Sequence, residues 1–255
     1  MLAEWRHERI LDMVASQGSA SVPEIAEALG TSESTVRRDL EKLDHAGRLS
    51  KVHGGAVSVE SASAASFVTR ELAMSEKRDL HAPEKRAIAT WAASLIGPDD
   101  FVYLDAGTTT AALVEALSEA ATHATFATNS VSNALALAAR GCTTLVIGGD
   151  LKGLTEAIVG PGAIDALETH NFTIGFWGAN GVTPERGFTT PDQREAMVKR
   201  ISMEHAASRY VLADASKLGL VTPATFCAFD GATLVTTPSG ELRYGTYANV
   251  VEVSA

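Results

Sequence analysis

The chain has 255 residues, of which 45% are hydrophobic, enough apolar side chain for one large or two ordinary domains and too much for a disordered protein. Its 21 basic and 31 acidic side chains give a formal net charge of −10, which at first disfavours a partner as negative as DNA. Cys142 and Cys227 fit neither a zinc spacing nor a disulfide framework, and we predict a reduced, cytoplasmic protein without metal or cofactor.

The order of residues along the chain predicts two domains and a linker. Residues 1–9 carry charges where a secretory signal needs an apolar segment, and no later stretch approaches the roughly 18 apolar residues that cross a bilayer, so we expect neither secretion nor membrane insertion. Composition changes near residue 60, where small serine and alanine residues dominate. We therefore predict a domain over 1–57, a linker over 58–80 and a domain over 81–255.

Three short helices are predicted in the first domain. Ser21 precedes Glu24 at the spacing of a capping box and opens the second helix, which Gly30 ends. After a three-residue turn, Ser32 caps a third helix, closed by Gly47. The apolar positions of the three helices are Ile10, Met13 and Val14, then Val22, Ile25, Ala26 and Leu29, then Val36, Leu40 and Leu43. This order of helix, short turn and helix is typical of DNA-reading domains.

The third helix and the segment after it carry polar residues suited to DNA. Residues 48–57 read as two extended segments around a Gly-Gly turn, which predicts a wing. Taken singly, each feature is better explained as the solvated face of a small interaction domain, but their ordered combination favours DNA binding. The candidate DNA-binding residues are Ser34, Thr35, Arg37 and Arg38 on the helix and Arg48, Lys51 and His53 on the wing.

The same residues carry a family resemblance. Ser-Glu-Ser-Thr-Val-Arg-Arg-Asp-Leu at 32–40, Glu41-Lys42-Leu43 and Val52-His-Gly-Gly-Ala56 resemble the winged helix-turn-helix of the DeoR family of bacterial transcription regulators, over residues 6–57. The resemblance implies sequence-specific binding of double-stranded DNA by the 32–44 helix, with Thr35, Arg37 and Arg38 as its contacts.

The second domain alternates short β-branched segments with helical patterns. This alternation predicts an α/β fold with a mostly parallel sheet covered by helices on both faces. The predicted strands are 101–104, 124–127, 144–147, 172–176, 210–213 and 233–236. The helical positions between them are Ile88, Ala92, Leu95 and Ile96, then Leu113, Val114 and Leu117, then Leu135, Leu137 and Ala138.

Polar, glycine-containing turns follow four of these strands. The first, 105–110, joins a strand to a helix, and its backbone N–H groups and threonine hydroxyls suit a phosphate, although alone it is equally well an ordinary helix cap. Because ligands of open α/β sheets bind at the carboxyl ends of strands, the four turns together predict one pocket. The candidate residues in these turns are Asp105, Gly107, Thr108, Thr109, Thr110, Asn129, Ser130, Gly149 and Asn180.

A later helix is predicted to open on Thr190-Pro-Asp-Gln193 with a capping-box pattern. On it, Glu195 and Lys199 stand four residues apart, so spacing alone favours an exposed ion pair, and Asp214 with Lys217 favours a turn pair.

Here too the chain resembles the DeoR family, whose C-terminal sensor is similar in fold to ribose-5-phosphate isomerase. The matching segments lie between residues 84 and about 219: Glu84-Lys85-Arg86-Ala-Ile-Ala, Asp105-Ala-Gly-Thr-Thr-Thr, Thr-Asn-Ser, the Gly-Gly turn, Gly187-Phe-Thr, Glu195 with Lys199, and Ala213-Asp-Ala-Ser-Lys217. The resemblance implies a receptor for a phosphorylated sugar, with phosphate on Gly107–Thr110 and Lys85. The sugar would contact Asn129, Asn180, Glu195 and Lys217.

Two other functions stay open at this point. A sugar-phosphate isomerase needs a carboxylate to move a proton, and the isomerases supply it from an Asp-Gly-Ala-Asp segment and a following lysine loop. In this chain, Trp177-Gly-Ala-Asn180 aligns with the Asp-Gly-Ala-Asp segment and Arg186-Gly-Phe188 with the lysine loop. Glu195 is then the one catalytic-type carboxylate left, so we expect no enzyme. A DNA-binding structural protein without ligand is the third alternative.

From these features we expect a homodimer or tetramer that binds an inverted-repeat operator as a repressor and responds to a phosphorylated sugar. The charge of −10 does not exclude DNA, because residues 1–57 carry a net charge of only −2 and residues 58–255 carry −8.

Overall fold

The computed structural model describes residues 3–17, 19–45, 48–52, 55–57, 66–69, 71–239 and 244–255. The chain forms two compact units, Met1–Ser66 and Phe67–Ala255. The second unit thus begins before the predicted boundary at 81, because the Val68 N–H donates to the carbonyl of Val221 (2.8 Å) and the Met74 N–H to that of Leu154 (3.1 Å). Most of the predicted Ser/Ala stretch lies outside the described residues. Within them, we find no helix with the length and hydropathy needed to cross a bilayer.

The first unit contains the three predicted helices and a small antiparallel sheet. The helices are α1 (Ala3–Gln17), α2 (Val22–Leu29) and α3 (Glu33–His45). The strands are β1 (Ser19–Ser21), β2 (Ser50–Val52) and β3 (Gly55–Val57), in the order β1-β3-β2. The wing is therefore confirmed as β2 and β3, whereas β1 was not predicted, because Ser-Ala-Ser has no strand-forming residue. Gly47, His53 and Gly54 lie outside the described residues.

Three of the predicted helix ends are found as expected. The Ser21 hydroxyl accepts the Glu24 N–H (3.4 Å) while the Glu24 carboxylate accepts the Ser21 N–H (2.8 Å), a complete capping box. Gly30 ends α2 in the left-handed conformation, with φ of 57°. The Thr35 N–H donates to the Ser32 hydroxyl (3.4 Å), so Ser32 caps α3. These local hydrogen bonds set the turn between α2 and α3.

A buried carboxylate holds α3 against α1. Asp39 is 3% exposed, and its carboxylate accepts the Arg6 Nε–H (2.7 Å) and lies 3.2 Å from His7 Nε2. Burial alone would raise the pKa of Asp39, but hydrogen bonds from Arg6 and His7 hold it below its ordinary value. This contact holds α3 against α1, while Arg37 and Arg38 of α3 remain exposed.

In the second unit the described strands include seven that form one parallel sheet. They are β5 (Phe101–Leu104), β6 (Thr125–Thr128), β7 (Thr143–Val146), β10 (Phe172–Gly178), β13 (Ala206–Leu212), β16 (Thr233–Thr236) and β17 (Val250–Glu252). Their order is β17-β16-β13-β10-β5-β6-β7, with every pairing parallel. The six predicted strands are thus confirmed to within a few residues. The order reverses next to β5, which creates a crevice at the carboxyl ends of β5 and β10.

Helices cover both faces of the sheet. They are α4 (Met74–Arg78), α5 (Ala82–Ala93), α6 (Thr108–Ala116), α7 (Val131–Ala139), α8 (Pro161–Leu167) and α9 (Gln193–Glu204). One apolar core joins α5, α6 and α7 to the sheet, and another joins α8 and α9 to the opposite face. On α7, Leu137 is buried but Leu135 is 69% exposed, so its predicted place in the apolar stripe is wrong. Short strands complete the unit: β4 (Ser66–Phe67), β8 (Asp150–Lys152), β9 (Ala157–Val159), β11 (Gly181–Thr183), β12 (Gly187–Thr190), β14 (Leu220–Val221) and β15 (Ala224–Cys227).

The buried Asp39 should dominate the stability of the first unit. We expect Asp39→Asn to lower the melting temperature of its calorimetric transition in the full chain, on the order of 5 °C or more, because Arg6 loses its anion. Since the pKa of Asp39 is lowered, its stabilisation is complete above the unfolded pKa, about 3.9, and is lost as the pH falls through the folded value. The difference in melting temperature between wild type and Asp39→Asn should therefore narrow below about pH 4.

The matched control is Glu33→Gln, which removes the carboxylate of the exposed Arg37–Glu33 pair on the same helix. It should change the melting temperature little. An Asp39→Asn protein as stable as wild type, or a difference constant from pH 7 to 3, would contradict this role of Asp39.

Candidate functional site

A buried ion pair stands where the strand order reverses. Asp105 directly follows β5, and its carboxylate accepts hydrogen bonds from the Lys199 ammonium of α9 and from the Gly178 N–H at the end of β10 (3.1 Å). Lys199 also donates to the Gly178 carbonyl (3.1 Å). Asp105 is 1% exposed and Lys199 4%. Burial raises the pKa of Asp105, while the charge of Lys199 and the Gly178 N–H oppose that rise.

The predicted exposed ion pair between Glu195 and Lys199 is therefore wrong. Both side chains are buried, and each pairs with other residues. Glu195 and Lys199 do lie on one face of α9, as their spacing predicts, but that face packs against the edge of the sheet. Asp192, not Thr190, caps α9, because its carboxylate accepts the N–H groups of Arg194 (2.8 Å) and Glu195 (3.2 Å).

The loop from Asp105 to Thr110 leaves a helix N-terminus open. The Thr110 hydroxyl lies within hydrogen-bond distance of the carbonyls of Asp105 (2.6 Å) and Gly107 (2.9 Å), so it braces the loop. Gly107 provides no side-chain cap for α6. By contrast, α7 is capped by Ser130 and α9 by Asp192. Within the described part of the chain, the hydroxyls of Thr108 and Thr109 have no hydrogen-bond partner, so this N-terminus can accept an anion.

Lys85 adds a buried cation on the neighbouring helix. It lies in the first turn of α5, which packs along α6, and only 6% of it is exposed. Its ammonium donates to the backbone carbonyl of Lys77. Burial lowers the pKa of Lys85, an effect that the nearby Asp214 partly offsets. A buried ammonium with a neutral partner is well suited to bind an incoming anion.

A second group of side chains is rich in carboxylates. Lys152 lies within ion-pair distance of Glu71 (2.5 Å), Asp192 (3.0 Å) and Glu195 (3.1 Å), and Glu195 also accepts the Thr155 hydroxyl (2.5 Å). Burial by itself would lower the pKa of Lys152. The hydrogen bond to Glu71 and the charges of the other carboxylates outweigh burial and raise that pKa. We call Glu71, Asp192, Glu195 and Lys152 the carboxylate cluster. Arg194 also pairs with Asp192 (3.2 Å), so three carboxylates face two cations, and the cluster can accept hydroxyl hydrogens.

Three of the predicted ligand-contacting residues, Asn129, Ser130 and Gly149, support the backbone in this structure. The amide of Asn129 accepts the Ala106 N–H (3.1 Å) and donates to the Ile158 carbonyl (3.2 Å). Ser130 caps α7 through the Asn133 N–H (3.2 Å). Gly149 has φ of 142°, and a Cβ there would lie 2.6 Å from the Val159 carbonyl oxygen. Together these residues fix the β8–β9 hairpin at the edge of the sheet.

The remaining predicted positions lie on the surrounding turns. Asn180 accepts the Thr190 hydroxyl (3.2 Å) and is partly exposed. Lys217 is partly exposed and contacts the Ser216 hydroxyl (3.1 Å), which in turn donates to Asp214, so the expected turn pair is bridged by Ser216. Trp177 is fully buried and donates to the Ser202 hydroxyl (2.9 Å). A core side chain therefore stands where the isomerase alternative needs a carboxylate.

The candidate DNA-binding residues lie on α3 and the wing. Ser34, Arg37 and Arg38 are exposed and Thr35 is partly exposed. Arg37 pairs with Glu33 (2.9 Å), whereas Arg38 has no ion pair among the described residues.

The wing is joined to α3 by two contacts of Lys51. Its N–H donates to Asp44 (2.8 Å) and its ammonium to Glu41 (2.8 Å), while Arg48 is exposed nearby in the chain. His53, the third predicted wing residue, lies outside the described residues.

Comparison with known proteins gives matches over both units. The DeoR-like helix-turn-helix domain matches residues 6–62, and the DeoR C terminal sensor domain matches residues 80–239. The uncharacterized HTH-type transcriptional regulator FruR of Bacillus subtilis is 36% identical, covering 97% of this chain and 96% of its own length. The HTH-type transcriptional regulator GlpR of Haloferax volcanii is 36% identical over 86% and 83%. The lactose phosphotransferase system repressor of Staphylococcus epidermidis is 32% identical over 93% of each chain.

Solved structures show more distant similarity. The sorbitol operon regulator SorC from Klebsiella pneumoniae is 12% identical, with a TM-score of 0.38 over 83% of this chain and 89% of its own. Ribose 5 phosphate isomerase A from Neisseria gonorrhoeae is 16% identical, with a TM-score of 0.40 over 52% of each chain. These similarities add no weight to the sequence matches.

The ion pair at the strand crossover should be essential for stability. We expect Lys199→Met to destabilise the second unit by about 3–5 kcal/mol, because Asp105 would be left as an unpaired buried charge. The double variant Asp105→Asn/Lys199→Met should recover part of that loss, since it removes both charges. Urea unfolding of the full chain measures both effects. A single variant as stable as wild type would show that the pair is not structural.

Proposed function

The chain belongs to the DeoR family of DNA-binding transcriptional regulators, and from that premise we propose that it represses a carbohydrate-metabolism operon and releases its operator when a phosphorylated sugar binds. The observation that carries the proposal is the open N-terminus of α6, in the same unit as the carboxylate cluster. The hydroxyls of Thr108 and Thr109 at this N-terminus have no hydrogen-bond partner among the described residues. Members of this family are regulators and not enzymes, so the isomerase alternative is not retained.

The two kinds of side chain in the sensor fit the two ends of a sugar phosphate. The α6 N-terminus and Lys85 offer N–H, hydroxyl and ammonium donors to a phosphate. The carboxylate cluster accepts hydrogen bonds from sugar hydroxyls and repels a second anion. One relative is named as a lactose phosphotransferase system repressor, which supports carbohydrate metabolism as the regulated process. Asn180 and Lys217 complete our proposed contacts.

In this proposal α3 recognises the operator sequence, and the wing positions the protein on the DNA. Arg38 and Arg37 would bind base edges or phosphates, with Ser34 and Thr35 donating at the start of the helix. Breaking the exposed Arg37–Glu33 pair costs little, so Arg37 is available to DNA as well. Arg48, Lys51 and His53 would bind backbone phosphates from the wing. Because few cations take part, we propose weak non-specific binding and specificity that depends on one helix.

We propose a homodimer or tetramer assembled through the sensor, which binds an inverted-repeat operator in the cytoplasm. Leu135 and Leu151 are 69% and 60% exposed and line one groove together with Val131. Exposed apolar side chains that share a groove favour contact with a second copy. A two-fold symmetric protein then requires a two-fold symmetric site on DNA.

The recognition helix is tested by Arg38→Ala. We expect operator affinity to fall at least about fivefold, because an arginine contact to a base or phosphate is lost. Fluorescence anisotropy with operator DNA measures the affinity, and Arg9→Ala, which removes an exposed arginine from α1, is the control for charge. An equal loss of operator affinity in Arg38→Ala and Arg9→Ala, or no loss in Arg38→Ala, would contradict the assignment of α3 as the recognition helix.

The proposed phosphate site at the N-terminus of α6 is tested by Thr108→Asp. An aspartate at a helix N-terminus favours the helix, so the variant should fold, yet its charge should weaken binding of a phosphorylated sugar at least about tenfold. Calorimetric titration with a panel of hexose phosphates measures the effect, and operator release by the same compounds tests the function. Thr90→Asp adds the same charge at an exposed site on α5 and should bind normally. Undiminished binding by Thr108→Asp would place the phosphate elsewhere.

A further inference from the structure

One edge of the sensor sheet is open. β7 is the last strand of the parallel sheet, and among the described strands it pairs with β6 alone. The Ile147 N–H continues that ladder by donating to the Thr128 carbonyl (2.9 Å). Because the backbone groups of successive residues in a strand point to opposite sides, those of Thr144 and Val146 point away from β6. Within the described part of the chain neither residue makes a backbone hydrogen bond on that side, so β7 can pair with a further strand.

The opposite edge of the same sheet, β17, is protected. The Val250 N–H donates to the Tyr247 carbonyl (3.1 Å), and the turn Tyr244–Thr246 packs beside the strand. β17 also ends in Glu252, and a charge on an edge strand opposes pairing with another chain. β7 has no such protection, because it reads Thr-Thr-Leu-Val, without charge or proline, and its Val146 is 48% exposed. An edge that lacks these features favours pairing with another strand.

The elements next to β7 also expose apolar side chains. The helix that packs on β7 is α7, and among the described α-helices of the second unit it alone has no charged residue. A surface helix ordinarily carries charged or polar residues on its outer face. Leu135 of α7 and Leu151 of β8 line one groove, and Leu154, just after β8, is 45% exposed. The open edge is therefore bordered by apolar side chains that a strand alone would leave in water.

Charges at the two ends of β7 favour a second copy of the chain as the partner. Arg140 precedes the strand and Asp150 follows it, and both are exposed. In an antiparallel pair of identical strands, the start of one strand lies beside the end of the other. Arg140 of each copy is then at the same end of the interface as Asp150 of the other, whereas parallel pairing would bring like charges together. Antiparallel pairing is also two-fold symmetric, so it closes after two copies.

We propose that β7 pairs antiparallel with β7 of a second copy of this chain, so that the sensor sheets of the two copies form one continuous sheet. The inference rests on the proposed function and deepens it, because it names the surface through which the sensor assembles. Main-chain hydrogen bonds of Thr144 and Val146 join the two sheets. Leu135, Leu151 and Leu154 of both copies are buried beside that junction, which gives the apolar face its partner.

The experiment measures the mass and the dissociation constant of the full chain by analytical ultracentrifugation. We expect wild type to be a dimer or tetramer, and Val146→Lys to raise the dissociation constant at least about tenfold, because two like charges meet in an apolar junction. Thr144→Pro removes a backbone N–H at the open edge, where a folded strand tolerates proline, and should have the same effect without added charge. Met197→Lys adds that charge at an exposed apolar residue of α9 and should assemble as wild type does.

A charge exchange tests the direction of pairing. Arg140→Glu and Asp150→Lys each bring like charges together at both ends of the interface, so each variant alone should assemble more weakly than wild type. An equimolar mixture of the two variants should assemble again, because both ends of the mixed interface then carry opposite charges. A purely structural role of Arg140, whose guanidinium donates to the Leu117 carbonyl (2.6 Å), predicts no such recovery.

The outcomes separate this interface from the proposed function. A wild-type oligomer whose mass and dissociation constant are unchanged in Val146→Lys and Thr144→Pro would overturn the β7 interface alone. An equal loss of assembly in Met197→Lys, or a mixture of the two charge variants that stays dissociated, would overturn it too. A monomeric wild-type protein would overturn the proposed homo-oligomer as well. Operator release by hexose phosphates is measured separately, so regulation by an effector stands or fails by itself.

Discussion

The sensor depends on one buried ion pair, Asp105 with Lys199. Two charges taken out of water are tolerated only when each is satisfied, and here Gly178 contributes both an N–H and a carbonyl to the pair. The pair thereby joins the ends of β5 and β10 to α9 at the point where the strand order reverses. The Asp105 carbonyl is held in turn by the Thr110 hydroxyl and the Asn133 amide, so the loop geometry that leaves α6 uncapped follows from it.

The same arrangement of buried carboxylates favours ligand binding over catalysis. Asp105, the carboxylate at the centre of the sheet edge, is neutralised by Lys199, and Glu195 shares Lys152 with two other carboxylates. Trp177 occupies the core, where its indole stacks on Tyr103 at 5.5 Å. These carboxylates are well placed to accept hydrogen bonds and poorly placed to move protons. Binding without turnover is what a metabolite-responsive regulator requires.

Charge is distributed according to the task of each unit. Most of the net charge of −10 belongs to residues 58–255, where buried Asp105 is paired with buried Lys199 and Lys152 is shared by three carboxylates. In the first unit, buried Asp39 pairs with Arg6 behind α3, while Arg38 remains exposed and without an ion pair among the described residues. An acidic protein can thus present exposed arginines on α3, because the field at DNA depends on nearby charges once salt screens distant ones.

The sequence by itself determined the features that depend on neighbours in the chain. The capping box of Ser21 and Glu24, the glycine end of α2, the wing strands and six of the seven described strands of the parallel sheet all follow from short-range hydrogen bonding and periodicity. The short β1 escaped prediction because its strand character comes only from pairing with β3. The turn motifs also lie at one edge of the sheet, as predicted, because parallel strands place their carboxyl ends together.

Only the tertiary structure decided which side chains meet at that edge. Lys199 pairs with Asp105, 94 positions away, and not with Glu195 on its own helix. Glu71 lies in the predicted linker, yet it reaches Lys152 because backbone hydrogen bonds attach its segment to the second unit. Asn129 and Thr110 had the chemistry of ligand donors but use it to brace the backbone. The physical reason is common to all of them: a buried polar group must be satisfied by whatever the fold places beside it, and sequence spacing does not report that neighbour.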